Sequence, residues 1–321
     1  MAYLIGTDEA GYGPNLGPLI VAATVWQVSD ELVDCDLYDV LCDAVTRKAS
    51  PSNGNDQIIL TDSKQLYQSR QGLSRLERAL YPHLSLLDKN KRRWREIWKS
   101  LSPEIEIHRR GLAWYSDFDC DVPLDLNWFE NERLQGILNE VCQKSSVRLV
   151  DLRIRPVFAS EFNQLVNEYG NKSTVLTRVT LELLKKVTAP LTSEPQQIIC
   201  DKHGGRNRYG HLLQQWFSDN LVEVRQEQRD ESIYQWGHST RRVEIRFKAK
   251  GESFLPTALA SITAKYLREL AMLAFNDFWC RHLPGLRPTA GYPMDAKRFK
   301  REIDPVQRQF GIDNGDLWRC R

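Results

Sequence analysis

The sequence predicts a three-layer α/β domain, in which helices pack on both faces of a central sheet. Short runs rich in Leu, Ile and Val alternate along the chain with longer segments whose apolar residues recur at helical spacing. The 321 residues have the apolar and charged fractions of a globular protein, and no internal repeat divides them. Strands that alternate with helices are typical of a sheet that helices cover on both sides.

Five short segments have the composition of buried strands. The first two are joined by a loop rich in Gly and Pro, and the third alternates between apolar and polar residues. The fourth and fifth are each followed closely by an acidic residue. The predicted strands are residues 3–8, 18–26, 148–158, 197–200 and 243–247.

Helical spacing of apolar residues predicts helices around these strands. One helix begins after Asp62 and is expected to end at Pro82, because proline lacks the backbone donor that a helix interior requires. Residues 50–56 have the composition of a surface loop. The other predicted helices cover residues 30–48, a segment from about 160, 174–187, a segment around 212–216, 256–275 and part of the basic tail to 301.

Residues 85–147 fit this alternation poorly and contain two runs of charge. Residues 89–99 are basic with interleaved Trp, whereas residues 116–132 are acidic. Both runs are most simply interpreted as solvated faces. The alternative for 89–99 is a helix that contacts phosphates and offers aromatic platforms to nucleic-acid bases.

Charge and cysteine content limit the possible partners and setting. The formal net charge is +2, so a nucleic-acid partner would have to be recognised by local groups. The seven cysteines are an odd number without a CxxC pair, which argues against a disulfide framework or a zinc cluster and favours the reduced cytoplasm. Since no apolar run approaches the roughly 20 residues of a membrane span, we expect no membrane association.

Acidic residues recur where the predicted strands end. Asp8 and Glu9 follow the first strand, Asp201 follows the fourth, and Glu252 comes shortly after the fifth. Read alone, Asp8 and Glu9 would be two solvated acids at the tip of a hairpin. Because neighbouring strand residues point to opposite faces, both can face one site only where the strand ends or bends, and the glycines that follow allow such a bend.

Four carboxylates that converge at one edge of a sheet would repel one another strongly unless cations lie between them. Oxygen ligands without His or Cys suit Mg²⁺ or Mn²⁺. Two such ions about 3.5–4 Å apart clamp the attacking and leaving oxygens of a phosphodiester. The residues therefore predict phosphodiester hydrolysis at a two-metal site, without an organic cofactor.

Five blocks of the sequence, in order, resemble the motifs of the type 2 ribonuclease H family, which includes the bacterial type II and III enzymes. Their agreement in order along most of the chain is far beyond chance, and it implies a ribonuclease H-like three-layer fold around a mixed five-stranded sheet. The blocks are Asp8-Glu9-Ala10-Gly11-x-Gly13-Pro14-x-x-Gly17-Pro18, Asp62-Ser63-Lys64, Asp201 after an apolar strand, Lys250-Gly251-Glu252-Ser253 with the following Ala258 to Lys265, and Gly291-Tyr292-Pro293.

The resemblance implies roles for the matching positions. Asp8, Glu9, Asp201 and Glu252 would be the catalytic residues and the metal ligands. Lys64 would contact the nucleic-acid backbone, Ser261 and Lys265 would serve a phosphate, and Tyr292 would pack on the sugar at an RNA–DNA junction. The full substrate-binding set also includes the glycine block, and the basic loop after Asp201 adds two arginines suited to phosphate: Gly11, Tyr12, Gly13, Lys64, Arg206, Arg208, Ser261, Lys265 and Tyr292.

The sequence departs from the family pattern at three places. Tyr12 stands where the type II enzymes usually have Arg, so strict specificity for the junction is not implied. The loop after Asp201 is longer and more basic than the common form, and residues 85–147 have no counterpart. His203, in that loop, is an alternative candidate for a proton shuttle, although a loop histidine is more often incidental.

We therefore expect a cytoplasmic, metal-dependent endonuclease that cuts the RNA strand of RNA–DNA hybrids or ribonucleotide-containing duplexes. Residues 1–275 would form the catalytic domain, with insertions at about 27–57 and 85–147, and residues 276–321 a helical extension packed on it. Two alternatives remain open at this point. One is a structure-selective nuclease on another nucleic acid, and the other is a nucleic-acid-binding protein that kept the fold and lost turnover.

Overall fold

A computed structural model describes residues 1–48, 56–67, 72–105, 111–191 and 194–320. The strands of the described residues are β1 (Ala2–Ala10), β2 (Leu19–Val28), β3 (Val45–Thr46), β4 (Ile58–Ile59), β5 (Arg148–Val157), β6 (Gln196–Asp201), β7 (Glu223–Glu227), β8 (Glu231–Trp236) and β9 (Val243–Lys248).

The α-helices of the same residues range from single turns to a long central helix, α10. They are α1 (Leu37–Val40), α2 (Ser63–Leu66), α3 (Ser74–Leu86), α4 (Trp94–Leu101), α5 (Ala113–Ser116), α6 (Trp128–Lys144), α7 (Ala159–Tyr169), α8 (Lys172–Thr188), α9 (Gly210–Trp216), α10 (Leu255–His282), α11 (Pro293–Gln309) and α12 (Asn314–Leu317).

One mixed sheet forms the centre of the molecule. Its strand order is β5-β2-β1-β6-β9-β8-β7, and β3 pairs separately with β4. β1 pairs antiparallel with β2 and parallel with β6, which in turn pairs parallel with β9. The five strands that the sequence predicted are confirmed, and they lie side by side as β5, β2, β1, β6 and β9.

The sheet has seven strands, so the predicted number of five is wrong. The additional strands, β7 and β8, extend the edge beyond β9. β7 reads Glu-Val-Arg-Gln-Glu and is largely exposed. An edge strand of this kind buries little apolar surface, so its composition does not distinguish it from a loop.

Two hydrophobic cores, one on each face of the sheet, confirm the predicted three layers. Leu4 and Ile5 are adjacent on β1 and both fully buried, yet they belong to different cores, because neighbouring strand residues point to opposite faces. The Leu4 core includes residues of α3, α4, α6, α10 and α11, and the Ile5 core includes residues of α7, α8 and α9.

The long helix α10 packs directly on β1 at Gly6. A Cβ at this position would lie 2.1 Å from the backbone nitrogen of Thr257. The hydroxyl of Thr24 donates to the carbonyl of Pro256 at 2.8 Å, and that of Thr257 donates to the carbonyl of Ile199 at 3.0 Å. These contacts fix the first turns of α10 beside β1 and β6.

The helix predicted at 30–48 is wrong. The segment instead contains a 3₁₀ turn, the single-turn helix α1 and the strand β3. The Asp36 carboxylate accepts the backbone N–H of Tyr38 at 3.0 Å, which starts a new helix in the middle of the predicted one. The Tyr38 hydroxyl then donates to the carbonyl of Leu60 at 3.0 Å. Tertiary pairing therefore outweighs the helical spacing of the apolar residues.

Pro82 does not end its helix, contrary to the prediction. It lies inside α3, whose residues Tyr81 and Leu84 are fully buried on either side of it. Burial of the helix in the core offsets the single hydrogen bond that proline removes. The surface loop predicted at 50–56 lies outside the described residues except for Asp56.

The tryptophans of the basic segment 89–99 do not form platforms for bases, so this part of the alternative is wrong. Trp94 and Trp98 are 0% and 1% exposed, and Trp98 stacks on Phe158 inside the core. The basic run also pairs with the acidic one, since Arg93 contacts the carboxylates of both Asp119 and Asp121, at 3.0 and 2.8 Å. The basic and acidic runs thus form ion pairs with each other at the surface.

The helices predicted at 174–187 and 256–275 are confirmed as α8 and α10, and α10 continues to His282, beyond the expected domain boundary at 276. The division into a catalytic domain and an extension remains a prediction. A membrane-crossing helix, long and apolar enough to span a bilayer, does not occur among the described residues.

Candidate functional site

β1 separates from β6 at the two adjacent carboxylates. The last pair between these strands joins Thr7 and Cys200, whereas β1 stays paired with β2 through Asp8 and Glu9 to Ala10. The expected end of the first strand at Asp8 is therefore wrong. The neighbouring strands part instead, and both carboxylates lie partly exposed where they do so.

Asp201 ends β6 on the other side of this gap. Its Oδ1 accepts the backbone N–H of Gly251 at 3.2 Å, and a Cβ on Gly251 would lie 3.2 Å from the backbone nitrogen of Asp201. This close approach brings the next residue, Glu252, to the same end of the sheet. Burial and the charge of Asp201 raise the pKa of Glu252.

The first two carboxylates lie in a strongly repulsive environment. Burial and the charges of Asp201 and Asp62 raise the pKa of Asp8 to about 7, against hydrogen bonds that favour its ionised form. Burial and the charges of Asp8 and Asp201 raise the pKa of Glu9 well above its usual range. Two raised pKa values beside each other are typical of functional sites, although structural networks produce them too.

Asp62 is a fifth carboxylate near this group, and the sequence placed it in a motif without predicting a role in the site for its side chain. It caps α2, because its side chain accepts the backbone N–H of Lys64 at 3.0 Å. It also contributes to the raised pKa values of Asp8, Asp201 and Glu252. Its place in a predicted motif was the only sequence signal that could have identified it.

Lys64 is a cation that lies close enough to these acids to feel their charges. Partial burial lowers its pKa, but Asp62, Asp8 and Asp201 outweigh that effect, so the pKa of Lys64 is raised. The side chain is exposed at the start of α2. Lys64 therefore lies beside the acids as the sequence predicted, with its charge free to face a ligand as well.

Ser261 joins the acids to α2 from the first turns of α10. Its hydroxyl donates to the Ser63 hydroxyl at 3.0 Å, and the backbone N–H of Ser63 points to Ser261 Oγ at 3.4 Å. The Ser261 side chain also lowers the pKa of Asp8, against the effect of burial. The predicted residue is at the site, where it orients a carboxylate.

The glycine loop, which we define as residues 11–18, runs along one side of the acids. Gly11 has a φ of +91°, in the region that favours glycine. A Cβ on the exposed Gly13 would lie 3.9 Å from a ring carbon of Tyr292, whose side chain is 54% exposed. The structure thus brings Gly13 and Tyr292 together at the surface, as one substrate-binding site would require.

Tyr12 points toward the loop that follows β6. A Cβ on Gly204 would lie 2.7 Å from the Tyr12 hydroxyl, and the Lys172 ammonium lies 4.6 Å from the centre of the Tyr12 ring. Arg206 is on the same side, where its guanidinium donates to Thr174 Oγ1 at 2.7 Å. Lys172 was not identified from the sequence, because nothing in its segment sets it apart from an ordinary helix start.

Two of the predicted phosphate-binding cations have contrasting surroundings. Arg208 is 86% exposed in its side chain and lies 3.7 Å from Glu227. Lys265 instead donates to Glu269 at 2.6 Å and lies over the ring of Tyr67, whose hydroxyl also donates to Glu269, at 2.8 Å. Glu269 is a partner that the sequence analysis missed, and it engages the charge of Lys265.

His203 is buried and directed away from the acids, so its candidate role as a proton shuttle is wrong. Its Nδ1 is 3.0 Å from the Thr177 hydroxyl of α8, and its ring packs on Tyr209 and Phe247. Burial lowers the pKa of His203 to about 3, which keeps the imidazole neutral. The residue supports the packing of α8 on the sheet.

The donor set at this end of the sheet suits a hard divalent cation in its chemistry. The nearby groups are carboxylates that raise one another's pKa, a repulsion that a bound cation would relieve. In the portion of the chain that the structure describes, however, no three His, Cys, Asp or Glu side chains are grouped closely enough to hold a metal ion. The predicted metal site therefore remains a prediction.

Solved structures similar to this chain are ribonucleases of types HII, H2 and HIII, all with low sequence identity. The chain is 15% identical to ribonuclease HII of Archaeoglobus fulgidus, solved in complex with PCNA, over 99% of its own length and 94% of that chain, with a TM-score of 0.39. It is 16% identical to ribonuclease H2 of Pyrococcus horikoshii OT3, over 98% and 92%, with a TM-score of 0.42. It is 16% identical to Bst-RNase HIII in complex with Mn²⁺, over 99% and 66%, with a TM-score of 0.42. No family model and no curated protein matches the chain.

Proposed function

We propose that this protein is a metal-dependent endoribonuclease of the type 2 ribonuclease H family that hydrolyses the RNA strand of RNA–DNA hybrids. The observation that carries this proposal is the meeting of separate sequence motifs at one end of the sheet. Asp8, Asp201 and Glu252 come from three different blocks of the chain, and the charge of Asp201 raises the pKa of both Asp8 and Glu252. A chance set of surface acids would not converge with the glycine loop and Lys64.

Asp8, Glu9, Asp201 and Glu252 would hold Mg²⁺ or Mn²⁺, and Asp62 is close enough to assist electrostatically. When bound, such ions would activate water and stabilise the leaving oxygen of a phosphodiester. The chain's own groups orient the acids, through the backbone N–H of Gly251 on Asp201. Their arrangement at the parting of β1 and β6 keeps the carboxylates accessible from solvent.

The neighbouring residues suit a nucleic-acid backbone that is recognised without regard to sequence. Gly13 leaves the loop backbone open, and Tyr292 offers an exposed ring beside it for a sugar. Lys64 supplies positive charge beside the acids, and Arg206 supplies it beside Tyr12. Tyr12, between Lys172 and the loop after β6, occupies the position from which a substrate strand would be selected.

A second candidate is a nucleic-acid-binding protein on the same fold without turnover. Two observations favour it: the carboxylates are not grouped closely enough to hold a metal in the described residues, and Lys265 is engaged by Glu269. The candidates differ in one measurable property. The nuclease needs the acids to bind metal, whereas the binding protein does not.

The test offers four labelled duplexes to the wild type with Mg²⁺ or Mn²⁺: RNA–DNA hybrid, DNA with one ribonucleotide, double-stranded RNA and double-stranded DNA. We expect cleavage of the hybrid. Asp201→Asn should reduce it roughly 100-fold or more, since loss of groups that only support metal ligands already costs 10- to 100-fold.

The matched control is Asp277→Asn, which removes a carboxylate paired with Arg281 at 2.7 Å. This residue lies about 24 Å along α10 from Ser261 at 1.5 Å per residue, and its loss should leave cleavage unchanged. Binding of the hybrid without cleavage under any metal would support the second candidate. Cleavage that survives Asp201→Asn would overturn the assigned site.

A further inference from the structure

Two arginines lie buried beneath the glycine loop, outside the group of acids. Arg268 comes from α10 and Arg319 from the tail that follows α12, and each is 1% exposed. Charged side chains are rarely buried unless their hydrogen bonds are made, because their removal from water is costly. The hydrogen bonds of Arg268 and Arg319 therefore show which backbone segments the two buried side chains hold in place.

Arg319 binds the glycine loop at three positions. Its Nη2 donates to the carbonyls of Gly11 and Pro14, both at 2.5 Å. Its backbone N–H donates to the carbonyl of Asn15 at 2.9 Å, and the Asn15 side chain donates back to the carbonyl of Arg319 at 3.0 Å. A single residue of the tail thus fixes the first half of the loop from below.

Arg268 and the Gly291 segment fix the second half. Arg268 Nη2 donates to the carbonyls of Leu16 and Ala290, at 3.4 and 3.0 Å. The carbonyl of Gly291 accepts the backbone N–H of Asn15 at 2.8 Å. Because Tyr292 follows Gly291 directly, the same contacts link the loop to the exposed tyrosine.

The tail that carries Arg319 is itself held by one side chain of α7. Asn163 Nδ2 donates to the carbonyls of Trp318 and Gly315, at 2.8 and 3.3 Å. Its Oδ1 accepts the backbone N–H of Cys320 at 2.7 Å. Asn163 therefore fixes the backbone on both sides of Arg319 without contacting the glycine loop in these bonds.

Burial of the Arg319 guanidinium carries a desolvation cost that a role in stability alone does not explain. Its Nε and Nη1 have no hydrogen-bond partner among the residues that the structure describes, and the positive charge of Arg268 is nearby. A neutral apolar side chain would avoid both costs. The guanidinium does one thing that an apolar side chain cannot, which is to hold the carbonyls at both ends of the Gly11–Pro14 turn with one nitrogen.

We propose that Arg319 is a positioning residue that latches the glycine loop into the conformation in which it meets the substrate. The proposal rests on the proposed function for its catalytic consequence, but not for its structural one. A shift of about 1 Å in a group that positions substrate can cost 10²-fold in rate. Loss of the latch therefore raises KM and lowers kcat together, without removing any group that contacts the reacting phosphate.

The test compares Arg319→Met, Arg319→Lys and Asn163→Ala with the control Arg308→Gln. Arg308 is another arginine of the C-terminal segment, but it pairs only at the surface, with Asp304 at 2.9 Å. Hydrogen exchange of the backbone amides of Asn15 and Leu16, which both donate to the Gly291 carbonyl, reports the latch without any substrate. Affinity for an RNA–DNA hybrid in EDTA and steady-state cleavage with metal report its effect on the site.

We expect Arg319→Met to speed exchange in the glycine loop at least tenfold and to weaken hybrid binding. Arg319→Lys should restore part of both, because an ammonium reaches one of the two carbonyls, and Arg308→Gln should match the wild type. Should Arg319→Met fail to fold, Asn163→Ala decides, since it releases the tail backbone that carries Arg319 without removing the arginine side chain. It should then speed exchange in the loop.

Unchanged loop exchange in every folded variant would overturn the latch. The proposed function fails on a different result, namely a wild type that does not cleave hybrids. In that case faster exchange in the loop of Arg319→Met would still support the latch as a structural device. Faster exchange with unchanged hybrid affinity and unchanged kcat and KM would overturn its role in substrate positioning.

Discussion

At the scale of single residues, buried charge in this protein organises loops. Glu77 is fully buried in α3, and its carboxylate accepts the backbone N–H groups of Leu124, Asp125 and Leu126, at 2.6, 2.7 and 2.9 Å. The Tyr266 hydroxyl donates to it as well, at 3.0 Å. Burial raises the pKa of Glu77, and these hydrogen bonds oppose that shift. One carboxylate thus closes the 124–126 loop onto the core.

Glu77→Gln should destabilise the protein by about 2–3 kcal/mol, because an amide NH₂ would face backbone donors in place of an oxygen. Urea unfolding followed by tryptophan fluorescence measures this loss. The matched control is Glu140→Gln. The Glu140 carboxylate pairs with Lys144 on the exposed face of α6, so its loss should leave the free energy of unfolding nearly unchanged. Equal unfolding midpoints for the two variants would contradict this account of Glu77.

At the scale of elements, the sequence predicted the strands whose residues are buried and missed the features that depend on tertiary contacts. β1 is covered on both faces and β6 buries Ile198 and Cys200 in one core, so the apolar runs of both strands could be recognised in the sequence. β7 lies at an exposed edge and carries no such run. At the site, Asp8 lies where β1 parts from β6 and Asp201 lies where β6 ends, so the two motifs meet at the same end of the sheet. The contribution of Asp62 and the engagement of Lys265 by Glu269 depend on contacts across the fold, which no local pattern contains.

The packing of α10 on β1 depends on the absence of a side chain at Gly6. A Cβ there would overlap the backbone of Pro256 and Thr257, at 2.2 and 2.1 Å, and backbone atoms cannot move aside as a flexible side chain would. Gly6→Ala should therefore push the first turns of α10 off the sheet and destabilise the protein by about 3 kcal/mol.

Gly136→Ala is the matched control, because Gly136 lies within α6 and a Cβ there would meet nothing within 4 Å. That substitution should stabilise the protein by about 0.5–1 kcal/mol through helix propensity. Thermal unfolding of both variants tests whether Gly6→Ala lowers the unfolding temperature and Gly136→Ala raises it. A Gly6→Ala variant as stable as the wild type would mean that α10 and β1 can separate at little cost.

At the scale of the whole molecule, positive and negative charges nearly cancel. The chain has 44 Lys and Arg against 42 Asp and Glu, which leaves little long-range attraction for a polyanion. Binding to nucleic acid must then come from a few local cations near the acids. The number of such contacts can be obtained from the salt dependence of the affinity. Each neutralised phosphate contributes about −0.9 to the slope of the logarithm of the binding constant against the logarithm of the salt concentration for a duplex.

The proposed phosphate-binding cations differ in their freedom to make such a contact, and this difference fixes the expected salt dependence. Arg208 is exposed and only loosely paired, so Arg208→Gln should make the slope for an RNA–DNA hybrid in EDTA shallower by about 0.9. Lys265→Gln should change it much less, because the Lys265 ammonium already neutralises Glu269 at 2.6 Å. Titrations from about 50 to 200 mM salt, the range over which such slopes are resolved, measure both. An equal loss of slope in the two variants would mean that substrate displaces Glu269 from Lys265, and the pair would then be part of the binding site and not a fixed support beneath it.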